Sequence, residues 1–222
     1  MPGRAQRALP RRRLPQRGEA AGHDRDGSQL PEGAHAVTNP GNLPGMGVDA
    51  TVQAQYSRLV ERVLDYCKLA VADLTVEELC DTQGRRTSSI GFDVWHVLRT
   101  VDNIVHFAFD REQPVWLAQG FDQAWDLPRV EQGTNLTADE AYDLVFPAPE
   151  EFERYIEALR ETVVPRIANM SDEYITTFQL FRPWGEISRM EAIGHGLIGH
   201  ANGHLGRATY ARALLGKPGL PY

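Results

Sequence analysis

The chain has 222 residues, enough for one domain with a sizeable core or for two small ones. Its 42% hydrophobic, 9% aromatic and 24% charged residues are ordinary for a globular protein and exclude a collagen-like, fully disordered or disulfide-rich chain. The net charge of −7 is unevenly distributed: residues 1–45 hold seven Arg and four acidic side chains, which leaves 16 basic and 26 acidic side chains for the remainder. Such an acidic domain argues against a nucleic-acid partner.

The first 47 residues are rich in Arg, Pro and Gly and show no helical or strand periodicity. They cannot bury enough apolar surface to offset the entropy of ordering, so we predict a disordered tail followed by one domain over residues 48–222. A translation start at Met46 is an alternative, because the predicted domain begins immediately after it.

Cysteine content and hydropathy indicate the compartment. Cys67 and Cys80 allow at most one disulfide, and Cys67 lies on an apolar helical stripe, so we expect reduced thiols. The sequence has no apolar run of about 18 residues and no apolar stretch of the length that a signal peptide requires. We therefore expect a cytoplasmic protein without a membrane partner.

Helical periodicity begins near Asp49, a candidate N-cap, and continues to about residue 74. Thr75 and Glu78 form a capping-box pattern that opens a short helical turn. A second long helix is predicted to begin at one of the hydroxyl residues 87–89 and to run to about Asp110.

Residues 111–136 lack periodicity but contain Trp116, Phe121 and Trp125. A loop of this length is often a lid over a binding site, and we expect Trp116 and Trp125 to contact substrate. Ordinary core cover is an equally good interpretation of these aromatic residues.

Two further long helices complete the pattern. Thr137 and Glu140 form a second capping box, and the helix is interrupted by prolines before it resumes over about residues 152–167. Residues 174–178 are interpreted as a short strand or an extended crossover, and the final helix is predicted over about residues 189–215. Four long helices in one acidic domain predict an all-α four-helix bundle with a long loop between helices 2 and 3.

The candidate site consists of histidines. His200 and His204 lie four residues apart and therefore project from one helical face, close enough to hold one metal ion. His195 lies on the opposite face of a continuous helix and cannot join them. His96, on the second helix, lies away from the main apolar stripe, so periodicity leaves its facing open.

Five glycines crowd the final helix around the histidines. We interpret them either as a close approach of a ligand or partner helix, or as a sign that the helix is locally irregular. They are Gly194, Gly196, Gly199, Gly203 and Gly206.

Three segments resemble the DinB/YfiT-like superfamily of metal-binding four-helix bundles. These are SSIGFDVWHVLRTVDNIVHF in the second helix, PVWLAQGFDQAWDLPRVEQGTNLTADEAYDL after it, and HANGHLGRATYARALLG in the last helix. The resemblance covers about residues 48–220, and it implies that His96, His200 and His204 are three metal ligands. Arg207 departs from the family pattern, which commonly has Gln there; it could clamp a substrate carboxylate or pair with an acidic side chain.

The resemblance also implies a range of functions. Family members include thiol S-transferases that use bacillithiol-type thiols and mycothiol-dependent maleylpyruvate isomerases. We therefore expect a divalent metal, Zn or Ni, that activates a low-molecular-weight thiol such as mycothiol toward a small electrophile. A mycothiol-dependent isomerase and a non-catalytic metal-binding stress-response module remain alternatives. A homodimer is expected because the second helix is apolar almost all round.

Overall fold

The computed structural model describes residues 51–182 and 184–221. The tail predicted over residues 1–47, the alternative start at Met46 and the candidate cap Asp49 lie outside these residues. Helices make up most of the described chain, and its two strands pair with each other. None of the described helices combines the length and the apolar character that crossing a membrane requires.

The first helix, α1, spans Val52–Val71. It begins after Thr51, whose hydroxyl accepts a hydrogen bond from the backbone N–H of Ala54 at 3.2 Å. The short helix α2 spans Val76–Cys80 and has the predicted capping box between Thr75 and Glu78.

The second long helix begins as predicted among the hydroxyl residues 87–89. Ser89 accepts a hydrogen bond from the N–H of Phe92 at 3.1 Å and caps α3, Ile90–Asp102. The helix then continues as a π-helical segment over Asn103–Ala108, which the apolar periodicity did not reveal. Such segments are frequent at functional sites.

The long connection after α3 is folded against the core. It contains the short helices α4, Val115–Ala118, α5, Phe121–Ala124, and α6, Ala138–Tyr142. Helix α6 has the predicted capping box. Trp116, Phe121 and Trp125 are at most 5% exposed, so they are core cover and the prediction of a lid is wrong.

One buried carboxylate ties this connection to the bundle. Asp102 is fully buried and accepts hydrogen bonds from the backbone N–H groups of Val115 and Trp116 at 2.9 and 2.8 Å. It also accepts one from the hydroxyl of Tyr155 at 2.7 Å. A buried charge needs such partners, and these fix α4 between α3 and the third long helix.

The third long helix, α7, spans Pro149–Ala168 with its proline at a first-turn position that needs no N–H donor. The region predicted as a strand or crossover, residues 174–178, is only partly so: residues 174–176 belong to the short helix α8, Asp172–Thr176, capped by Ser171, and a strand begins at Phe178. A β-hairpin follows, with β1 over Phe178–Phe181 and β2 over Gly185–Ser188. Phe178 pairs with Ser188 and Phe181 with Gly185 in antiparallel register.

The last long helix has three parts. Helix α9 spans Arg189–Ala192 and opens with a capping box, a π-helical segment spans Ile193–His200, and α10 spans Ala201–Leu214. Gly216 follows the end with a φ of +73°, the left-handed conformation that terminates helices. The glycine-rich run is therefore locally irregular, which was one of its two interpretations.

The long helices form the predicted four-helix bundle. Helix α1 packs against α7, α3 and α10, and α3 packs against α10 and α7. The core between them consists of aliphatic and aromatic side chains from every long helix. This packing places the start of α3 beside the last long helix, where the histidines lie.

Candidate metal centre

Three histidines converge at the α3–α10 contact. The Nε2 atom of His200 lies 3.1 Å from Nε2 of His96 and 3.0 Å from Nε2 of His204. Ligand nitrogens at about 2.0–2.1 Å from a Zn²⁺ ion stand a little over 3 Å apart in a tetrahedral site. The three side chains are therefore placed as one group that can hold a metal ion.

The packing of α3 against the last long helix brings His96 next to His200, which lies 104 residues later in the chain. His96 lies in the second turn of α3 and is 6% exposed. Its side chain therefore points into the bundle, which the sequence pattern had left open. His200 ends the π-helical segment, and His204, 8% exposed, lies one turn later in α10. His195 is exposed and stacks on Trp184, so it is outside the group as predicted.

A loop carbonyl orients His96. Its Nδ1–H donates to the backbone carbonyl of Gln132 at 2.5 Å, which leaves the Nε2 lone pair directed at the other histidines. The carboxylate of Glu131 accepts hydrogen bonds from the backbone N–H groups of Gln132 and Gly133 at 2.9 and 2.8 Å, and these bonds fix the conformation of the loop. Gly133 has a φ of +100°, and a Cβ there would lie 3.0 Å from both the His96 and Phe92 rings.

A buried carboxylate orients His204. Asp93 is 1% exposed, and its Oδ1 accepts a hydrogen bond from Nδ1 of His204 at 2.8 Å. Carboxylate–histidine pairs of this kind fix the tautomer that presents Nε2 to a metal. Sequence reasoning missed Asp93; its position three residues before His96, on an otherwise apolar helix face, was the available signal.

Burial keeps two of the histidines neutral. It lowers the pKa of His96 to about 4, and it also lowers the pKa of His200 to about 4, with the charge of His204 adding to the effect. Nδ1 of His96 and Nδ1 of His204 each have an acceptor, the Gln132 carbonyl and the Asp93 carboxylate, so the Nε2 atoms of these two rings are available to a cation beside Nε2 of His200. The donor set therefore fits a divalent transition metal.

A cavity of about 450 Å³ is lined by all three histidines. Its walls are apolar on the side of Phe92, Ile104 and Trp184, and the hairpin contributes Leu180, Phe181 and Arg182. Thr100, Asn103, Gln132 and Thr134 provide neutral polar groups, and none of the described residues that line it is Asp or Glu. A more open depression of about 530 Å³ near Asp110 and Arg166 contains no histidine.

Two of the expected substrate contacts are corrected by this geometry. Trp116 and Trp125 are buried in the core against Tyr155 and do not line the cavity. Their size and apolar character suit core packing, and the loop that carries them folds inward because Asp102 holds its N–H groups.

The expectation for Arg207 is corrected in the same way. Its Nη2 donates to Oδ1 of Asp93 at 2.7 Å and its Nε to the same oxygen at 3.2 Å. The residue does not line the cavity. Of the two interpretations of Arg207, the pairing with an acidic side chain is the one that the structure contains.

Comparisons with known proteins identify the fold. The sequence profile of the DinB superfamily matches residues 50–208. The crystal structure of a conserved protein from Enterococcus faecalis is 23% identical and superposes with a TM-score of 0.65, covering 75% of this chain and 99% of its own. No significant match is found among functionally curated proteins. The match over most of its length shows that the chain belongs to the DinB superfamily.

Proposed function

We propose that this protein is a metal-dependent thiol S-transferase, in which His96, His200 and His204 hold a divalent ion, Zn or Ni. The convergence of three Nε2 atoms at the end of a cavity carries the proposal. Three protein ligands leave coordination positions open, as in catalytic rather than structural sites. An ion bound there would stabilise the thiolate of a small thiol at neutral pH.

The chain's own residues set up this site. Gln132 and Asp93 hold the rings of His96 and His204 in the tautomer that presents Nε2. Phe92, Ile104 and Trp184 give the cavity an apolar wall, which offers no hydrogen-bonding partner from Phe92 or Ile104 to water or to a polar substrate group. No carboxylate lines the cavity among the described residues, so a bound ion, rather than an acidic side chain acting as base, would supply the stabilisation of the thiolate.

The nucleophilic thiol has to come from a substrate. The chain has two cysteines, and burial raises the pKa of Cys67 well above its usual range. The Sγ of Cys80 accepts a hydrogen bond from the N–H of Phe146 at 3.3 Å, away from the cavity lining. A low-molecular-weight thiol such as mycothiol therefore suits the proposal, with transfer to a small electrophile or, alternatively, catalysis of a thiol-dependent isomerisation.

The test is thiol consumption against a panel of electrophiles with protein that has been stripped of metal and then reloaded. We expect turnover that depends on added Zn²⁺ or Ni²⁺ and that is lost in His200→Ala. Tyr210→Ala is the matched control, because Tyr210 is exposed on the same last helix and lies outside both the triad and the cavity lining. Tight metal binding without turnover for any thiol would instead favour a non-catalytic metal-binding module.

A further inference from the structure

The hairpin contributes one charged side chain to the cavity. Arg182 follows the end of β1 and lines the cavity together with Leu180 and Phe181. The other side chains in the lining are apolar, neutral polar or the three histidines. Arg182 is thus the single permanent charge among the described residues of this lining.

Arg182 is also free to bind a ligand. Most arginines near the bundle are engaged: Arg207 pairs with Asp93, Arg166 with Glu112 and Arg212 with Asp73. Arg182 forms no ion pair and no side-chain hydrogen bond with any residue that the structure describes, and it is exposed. Its guanidinium therefore offers donors for which the protein supplies no acceptor.

The remainder of the cavity suits an apolar body. Trp184 stacks against His195 with ring centroids 6.2 Å apart, so its indole is held as a wall. Phe92 stacks on His96 with the two rings nearly parallel, at an angle of 3°. These flat walls and the volume of about 450 Å³ match a small molecule with an aromatic or similarly apolar group.

We propose that Arg182 binds the carboxylate of a small, largely apolar acid in this cavity. A planar guanidinium matches a carboxylate in a two-point hydrogen bond, whereas phosphate sites usually gather several cationic side chains, and no second Arg or Lys is among the described residues of this lining. The binding of the acid stands on the cavity alone, whereas its role in a reaction rests on the proposed function. In that S-transfer reaction the acid is the electrophile, and Arg182 is a specificity-determining residue.

The test compares two probes of the same shape, 3-phenylpropanoate and its neutral amide, 3-phenylpropanamide. Calorimetry measures the affinity of each probe for the full chain in its metal-free and metal-loaded forms. We expect metal-free wild type to bind the acid about five- to tenfold more tightly than the amide, because a charge-assisted pair at a partly exposed site supplies about that factor. The preference disappears in Arg182→Gln and is partly retained in Arg182→Lys. Arg86→Gln is the matched control, since Arg86 is exposed on a turn and does not line the cavity.

Three results would overturn the inference. The first is an equal affinity, or no measurable binding, of acid and amide in wild type. The second is a preference for the acid that survives in metal-free Arg182→Gln. The third is a phosphonate analogue that binds more tightly than the carboxylate, which would contradict the assigned class of acid. Because binding to the metal-free form is measured, failure of the S-transferase proposal would leave this preference intact, so the two failures are distinguishable.

Discussion

Nδ1 of His204 donates a hydrogen bond of 2.8 Å to Oδ1 of Asp93, although the two residues lie 111 positions apart in the chain. The same carboxylate oxygen accepts a hydrogen bond from Nη2 of Arg207 at 2.7 Å. Asp93 is buried, so its charge needs both partners. The pair connects α3 with α10 and, at the same time, fixes the imidazole that faces the candidate metal position.

The first prediction concerns this carboxylate. Asp93→Asn keeps the shape but removes the charge, so His204 loses its strongest orienting partner and Arg207 loses its counter-ion. We expect metal affinity to fall about 10- to 100-fold, as for other carboxylates behind metal-bound histidines. Competition with a chromophoric chelator measures the affinity. Asp143→Asn, which removes an exposed carboxylate paired with Arg85, is the control and should leave it unchanged.

The second prediction is a pH dependence of the metal-free protein. His96 and His200 have a pKa of about 4 when folded and about 6.5 as free side chains. Between these values the unfolded chain binds more protons than the folded chain, so stability falls as the pH is lowered through this window.

Thermal unfolding of the metal-free protein at pH 7, 6 and 5 measures this loss. His96→Gln removes one of the two titrating groups, so its unfolding temperature should fall less steeply than that of wild type over the same range. Parallel slopes in the two proteins would contradict the account.

The third prediction separates two glycines of the last helix. A Cβ at Gly196 would lie 2.6 Å from Cδ1 of Ile104 and 2.9 Å from the indole of Trp184, so Gly196→Ala must displace the cavity wall. We expect a loss of about 1–3 kcal/mol in the free energy of unfolding. At Gly206 a Cβ would meet nothing within 4 Å, so Gly206→Ala should gain up to about 1 kcal/mol from helix propensity. Denaturant unfolding measures the change in the free energy of unfolding for both variants. Equal changes would show that the close contact at Gly196 does not determine the effect of an added Cβ.

The fourth prediction tests the corrected role of a tryptophan. Trp116 is fully buried, so Trp116→Ala should cost about 3–5 kcal/mol in the free energy of unfolding without reducing metal content in the folded fraction. Trp184 is only half-buried and lines the cavity, so Trp184→Ala should cost less stability but weaken binding of 3-phenylpropanoate. Calorimetry below each variant's unfolding temperature measures the binding. A stable Trp116→Ala variant with impaired ligand binding would restore the lid interpretation.

Much of the bundle could be predicted because its signals are local. The capping boxes at Thr75 and Ser188 satisfy backbone N–H groups a few residues away, and apolar periodicity records which helix face is buried. His200 and His204 could be paired for the same reason, since they lie one turn apart.

The remaining features depend on contacts that are distant in sequence. The direction of the His96 side chain is set by its hydrogen bond to the Gln132 carbonyl and by the packing of the helices. The apolar periodicity of the sequence gives no information on either. The π-helical segment over Ile193–His200 changes the rotation per residue. Side-chain directions calculated for a continuous α-helix, with 100° per residue, therefore do not hold there. The hairpin that carries Arg182 is too short to show an alternating pattern.

The most direct test of the metal centre is the metal content of the purified protein after reconstitution, measured by mass spectrometry. His96→Ala, His200→Ala and His204→Ala are compared with His195→Ala, each shown to be folded by circular dichroism. The account predicts about one ion per chain in wild type and His195→Ala and a loss of the ion in all three triad variants. Wild type that stays metal-free, or triad variants that keep the ion, would contradict it.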